Sequence, residues 1–170
     1  HGLEGDKAGW SVSLNGAGNI LAVGAPTPSY DGPGMVRIYE YDGTDEFNWV
    51  ELGDPIVGEQ LYDAFGACVS LNSAGSRVAI GATFAPGTAD LGVTKVYEYN
   101  SSHQIWEQLG QSIEGSKMQS LSGLSVELSS DGNVLVIGAP NDFELSSGST
   151  RVYELVGGDS WVQLGSDFIG

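Results

Sequence analysis

Few residues in this chain are of types that carry out covalent or metal chemistry. There are two histidines, His1 and His103, and a single cysteine, Cys68. His103 lies in the polar stretch Asn100-Ser-Ser-His-Gln104, with no second histidine at metal-ligand spacing, so it reads as a solvated turn residue. Cys68 has no histidine nearby in sequence to draw off its proton, so it reads as a small strand side chain. A lone cysteine also excludes an internal disulfide framework. The chain has no Gly-x-Ser-x-Gly elbow and no phosphate-cradling glycine loop. These absences predict a protein that is not an enzyme and holds no cofactor.

Charge narrows the partners. The 22 acidic residues against 6 basic ones give a net charge of −16, which argues against nucleic acid and anionic membranes as partners. Two acidic stretches, 42–46 and 141–144, are solvated hairpin tips or weak cation sites. No apolar run is long enough to span a bilayer. The opening His1–Trp10 has neither the basic nor the apolar region of a secretion leader, and a secreted protein can already have lost one. Asn100-Ser-Ser102 is an N-glycosylation acceptor at a turn, which is consistent with an extracellular setting.

The remaining pattern is positional. Gly9, Gly66 and Gly123 are 57 residues apart, and Trp49, Trp106 and Trp161 follow at spacings of 57 and 55. Four stretches recur in the same order. In the first, apolar residues alternate at 10, 12, 14, at 67, 69, 71 and at 124, 126, 128, the period of a half-buried strand. Asx and glycine turns follow. The second stretch, at 20–25, 78–82 and 134–139, is almost continuously apolar, as in a strand covered on both faces. It ends in Gly-Ala, where other backbone can approach closely. The third and fourth stretches begin near Val36 and Trp49 and are rich in aromatic and β-branched residues. The chain therefore reads as one all-β repeat domain over 1–170, with four-stranded antiparallel units at about 1–57, 58–114 and 115–170.

Four short strands per unit describe β-propeller blades. A three-fold β-trefoil or β-prism is the alternative. Ala64-Phe-Gly66 followed by Ile80-Gly-Ala82, with Gly-Ala-Pro at 24–26 and 138–140, resembles the FG-GAP repeats of integrin α subunits. The Trp-x-x-Leu-Gly endings resemble repeats of secreted microalgal and bacterial proteins. The resemblance implies propeller blades in an extracellular protein. It also implies a calcium loop between the two elements, but here that loop keeps only one carboxylate, Asp131, which makes calcium a weak expectation.

Three blades do not close a ring, so further blades would complete it: a second chain, more repeats of the same chain, or an open array. Arg37, Lys95 and Arg151 share one repeat position beside Tyr39, Tyr97 and Tyr153. Each is expected to meet a carboxylate or an aromatic ring at a blade interface, alongside Trp49, Trp106 and Trp161. The loops 26–34, 83–92 and 140–149 differ in every unit and are the expected recognition surface. The functional expectation is an extracellular structural or adhesive module that associates with itself. Binding of a glycan or a cell-surface protein is the second reading, and a glycan-active enzyme the third.

Overall fold

A computed structural model describes residues 7–26, 32–43, 48–83, 91–142 and 147–170. Among these residues every regular element is a strand. Each unit forms its own antiparallel sheet. The first contains β1 (Ser11–Leu14), β2 (Ile20–Ala25), β3 (Met35–Tyr41), β4 (Trp49–Glu51) and β5 (Ile56–Val57). The second contains β6 (Phe65–Leu71), β7 (Arg77–Ala82), β8 (Val93–Asn100), β9 (Ile105–Gln108) and β10 (Ile113–Glu114). The third contains β11 (Ser125–Leu128), β12 (Val134–Ala139), β13 (Ser149–Val156), β14 (Ser160–Gln163) and β15 (Phe168–Ile169).

The fourth stretch of each unit is thus one outer strand broken in two. β4 pairs with the end of β3, from Tyr41↔Trp49 to Tyr39↔Glu51, and β5 pairs with its start through Val36↔Ile56. Leu52 N–H still donates to Ile38 C=O at 2.8 Å before the chain swings out at Gly53, which has φ +76°. Leu109 with Gly110 and Leu164 with Gly165 repeat this at φ +76° and +78°. That left-handed conformation is why glycine follows leucine in the motif. The result is a bulge at a fixed place on each outer edge.

The sheets stack face to face. Ala22, Val36, Ile38 and Ile56 of the first sheet pack on Phe65, Val69, Leu71, Val78 and Ile80 of the second. The opposite face of the second sheet presents Ala79, Val96 and Ile113 to Val126, Leu128, Leu135, Ile137 and Trp161 of the third. Successive residues of β7, Val78, Ala79 and Ile80, are fully buried on alternating faces. A middle sheet covered on both sides belongs to stacked blades. A trefoil or prism, whose sheets surround one shared core, does not have it.

The FG and GAP glycines meet at these seams. A Cβ on Gly24 would strike Gly66 C=O, and one on Gly81 would strike Gly123 C=O. Backbones approach too closely there for any side chain. The two outermost counterparts are different. Gly9 has open space around it, and Gly138 would meet its own unit's Ser125.

Candidate functional site

A shared set of contacts recurs at both seams. Leu71 N–H donates to Ser13 Oγ at 3.0 Å, and 57 residues on Leu128 N–H donates to Ser70 Oγ at 3.0 Å. Gly16 N–H donates to Ser73 C=O at 3.0 Å, and Ser73 N–H to Ser130 C=O at 2.9 Å, so a backbone spine crosses all three sheets. On the outer side, Trp106 Nε1–H donates to Leu52 C=O at 2.8 Å and Trp161 Nε1–H to Leu109 C=O at 2.9 Å. The indole edges lie over Gly53 and Gly110, where a Cβ would crowd them. Gln111 adds two bonds to the Trp161 backbone, at 2.6 and 3.0 Å.

The same surfaces are open at the two ends of the stack. Val12 is 62% exposed, whereas Val69 and Val126 are each 6%. Leu14 is 57% exposed, against 7% for Leu71 and 4% for Leu128. Trp10 lies beside them, also exposed, with Lys7 Nζ 5.2 Å from its ring centre. Trp49 is 39% exposed and packs on Tyr41 of its own sheet, with ring centres 5.7 Å apart. At the other end Leu164 and Phe168 are exposed, and Ser125 and Glu127 point outward where the first two sheets use Ser11 with Ser13 and Cys68 with Ser70.

The three cations of the shared repeat position each find a carboxylate, from three unrelated places. Arg37 pairs with Glu51 on β4 at 2.7 Å, exposed. Lys95 pairs with Glu59, from the connector between the first and second sheets. Arg151 pairs with Asp142, whose side chain is wholly buried, and through Nε with Asp167 at 3.1 Å. Ser116 and Ser149 hydroxyls donate to Asp142 at 2.6 and 2.5 Å. Burial pulls the Arg151 pKa down, but the bond to Asp167 and the charge of Asp142 outweigh it, and the net shift is upward. Asp142, from the acidic stretch 141–144, is therefore committed to an ion pair.

Asp131 is an exposed turn residue. Its carboxylate accepts bonds from Ser129 Oγ at 2.5 Å, Asn133 N–H at 3.0 Å and Asn133 Nδ2 at 3.1 Å, which lower its pKa to about 2. Its oxygens close the hairpin, as Asn15 Oδ1 does by accepting from Ile20 N–H at 3.0 Å. No cluster of three metal-ligating side chains occurs among the described residues. Asn100 sits at the end of β8, with Oδ1 accepting from Ser102 N–H at 3.1 Å and Nδ2 against His103 Nδ1 at 3.0 Å. Cys68 is half-buried, takes a bond from Val126 N–H at 3.4 Å and has its thiol pKa raised by burial, so it is not poised as a nucleophile. His1 and most of the three variable loops (27–31, 84–90 and 143–146) lie outside the described residues.

Sequence reasoning missed Asp63. It is buried in the connector between the first and second sheets, its Oδ2 accepting from Gln60 N–H at 2.9 Å, while Oδ1 has no hydrogen-bond partner. Burial raises its pKa above the ordinary 3.8. It lines a cavity of about 200 Å³ with Glu59, Lys95, Ser112 and Glu114. The repeat offers one sign of it: the third unit has Ser120 at this position, and its hydroxyl donates to Leu91 C=O at 2.7 Å.

No family model and no curated protein matches the chain. Solved structures do. A candidate 6-phosphogluconolactonase from Bacteroides uniformis aligns over 91% of this chain and 39% of its own length, at 11% identity and a TM-score of 0.61. Sqt1 of Saccharomyces cerevisiae aligns over 98% of this chain and 37% of its own, at 10% identity and a TM-score of 0.61. The chain thus spans less than two fifths of either protein it resembles, and the likeness at this identity is one of fold: all-β, with three propeller-like blades.

Proposed function

We propose that this chain is an extracellular structural or adhesive module, a segment of blades that joins further blades through its open end faces. The observation that carries this reading is the exposure of Val12 and Leu14, whose counterparts in both other units are core residues. An apolar sheet face of this kind marks an interaction surface. Support for an extracellular setting comes from the Asn100-Ser-Ser102 acceptor in an exposed turn.

The test is light scattering across a range of concentrations. The wild-type chain is expected to run above its 17.7 kDa mass as concentration rises. Leu14→Lys, placed on an exposed strand position, is expected to abolish that increase while leaving the thermal midpoint nearly unchanged. A wild-type chain that stays at 17.7 kDa at all concentrations overturns the self-associating reading.

A second reading, binding of a carbohydrate or protein ligand, is favoured by the cavity at Asp63. A buried carboxylate oxygen without a partner is costly unless a donor reaches it, and a sugar hydroxyl is such a donor. On a glycan array, retention of a ligand by the wild type and at least a tenfold weaker signal for Asp63→Ala is the expected result under this reading. Equal signals from both proteins would remove the cavity from consideration.

A further inference from the structure

We infer that the two end faces are halves of one interface, and that a second copy of this chain docks head to tail in the register of the internal seams. This rests on the proposed self-association and specifies its geometry. The argument is continuity. The two internal seams share a set of contacts at the same repeat positions, the paired glycines, the backbone spine, the leucine N–H acceptor and the tryptophan indole, and the two open ends carry the residues that would continue that set.

The register can be written out residue by residue. Across the internal seams Gly24 faces Gly66 and Gly81 faces Gly123. The next pair in this series is Gly138 of one copy with Gly9 of the next, and these are the two seam glycines that face no other sheet. The spine Gly16→Ser73→Ser130 continues from Ser130 N–H to Gly16 C=O of the following copy. Trp49 takes the place that Trp106 and Trp161 hold on Leu52 and Leu109, and donates its indole N–H to Leu164 C=O of the preceding copy. Gly165, around which a Cβ would meet nothing, is the notch for its ring. Val12 and Leu14 then cover the outer face of the third sheet, where Val136 and Val152 are half-buried and Phe168 is exposed.

The leucine acceptor changes type in the third sheet. Where Ser13 and Ser70 accept a leucine N–H, the third sheet carries Glu127. A carboxylate is the stronger acceptor for that N–H. Docking in this register would place Glu127 against Leu14 N–H, so the substitution keeps the acceptor. Because the joined patches differ, the contact is heterologous: it yields a ring if the rotation closes and a filament if it does not.

Cysteine cross-linking reads the register directly. A Cβ on Gly16 would lie 3.3 Å from Ser73 Cβ, close to the separation that a disulfide spans. In a Cys68→Ser background, Gly16→Cys with Ser73→Cys is the internal control and should close within one chain. The inter-copy equivalent is a mixture of Gly16→Cys chains and Ser130→Cys chains, each also Cys68→Ser. The mixture is expected to give a covalent dimer on non-reducing gels that neither variant gives alone. In parallel, Gly138→Ala should weaken self-association by about tenfold or more, the scale of a steric misfit in a packed contact, with its thermal midpoint unchanged because only Ser125 Oγ stands in the way. If the control closes and the wild type associates, yet the mixture gives no covalent dimer, the head-to-tail register is wrong while self-association stands. Covalent homodimers of Gly16→Cys alone overturn it equally, in favour of a face-to-face contact. A monomeric wild type removes both readings together.

Discussion

Trp161→Ala is expected to destabilise the fold by about 3–5 kcal/mol, the cost of emptying a large aromatic site in a packed interior. In a chain of this size that corresponds to a thermal midpoint lowered by roughly 10 °C, measurable by circular dichroism. Trp161 is 3% exposed and sits among Ala79, Val96 and Ile113 across the second seam. Its indole N–H is also the only group bonded to Leu109 C=O across that seam in the described residues. Trp161→Phe should keep much of the packing and leave that carbonyl without its donor, for a loss of about 1 kcal/mol. The same Trp-to-Ala change at Trp49, 39% exposed, should cost about 1 kcal/mol or less. Equal losses at the two sites would mean that the seams do not carry the fold.

Arg151→Ala is the second large effect, at about 3–5 kcal/mol, because it strands the wholly buried carboxylate of Asp142 without a counter-charge. Chemical denaturation of the variant checks it. Pairing Arg151→Met with Asp142→Leu should recover most of the loss, since a buried pair replaced by apolar groups of similar volume is often neutral. At the equivalent position Arg37→Ala should change stability by under about 1 kcal/mol, as its pair with Glu51 is open to solvent. Acid titration adds a signature. Burial pushes the Asp167 carboxyl up, but bonds from Gln163 and Arg151 outweigh it and hold the pKa below 3.8. A depressed folded pKa gives stability that is complete above the unfolded value and is lost as pH falls through the folded one. Arg151→Ala should weaken this loss on the acid side of pH 3.8.

The strands were legible because their cause is local. The alternation at 10, 12, 14 and its repeats follows directly from side chains pointing to opposite faces, and β1, β6 and β11 lie on it. Gly-Ala at the end of the second stretch announced a close backbone approach, and the opposing backbone is that of Gly66 and Gly123. Other features left no local mark. The acceptors of the Trp106 and Trp161 indoles are main-chain carbonyls, which every residue carries and no sequence distinguishes. Arg37, Lys95 and Arg151 share a repeat position, but their carboxylates come from a strand, a connector and a loop outside the repeat pattern. The Trp-x-x-Leu-Gly motif reads as one strand until the positive φ of Gly53 breaks it. For Asp63 the repeat gave only its alignment with Ser120, and nothing of its unpaired oxygen, which depends on which groups happen to surround it.

The bulge after each of Leu52, Leu109 and Leu164 has a consequence for crowded solutions. It divides the outer border of every sheet, opposite β1, β6 and β11, into pieces of four residues or fewer, offset from one another. A foreign strand zipping onto that border would find no continuous row of donors and acceptors, and irregular borders of this kind are how natural sheets resist sideways aggregation. Accretion is thereby discouraged along this outer flank, and under the proposed head-to-tail docking growth would run along the stacking axis alone.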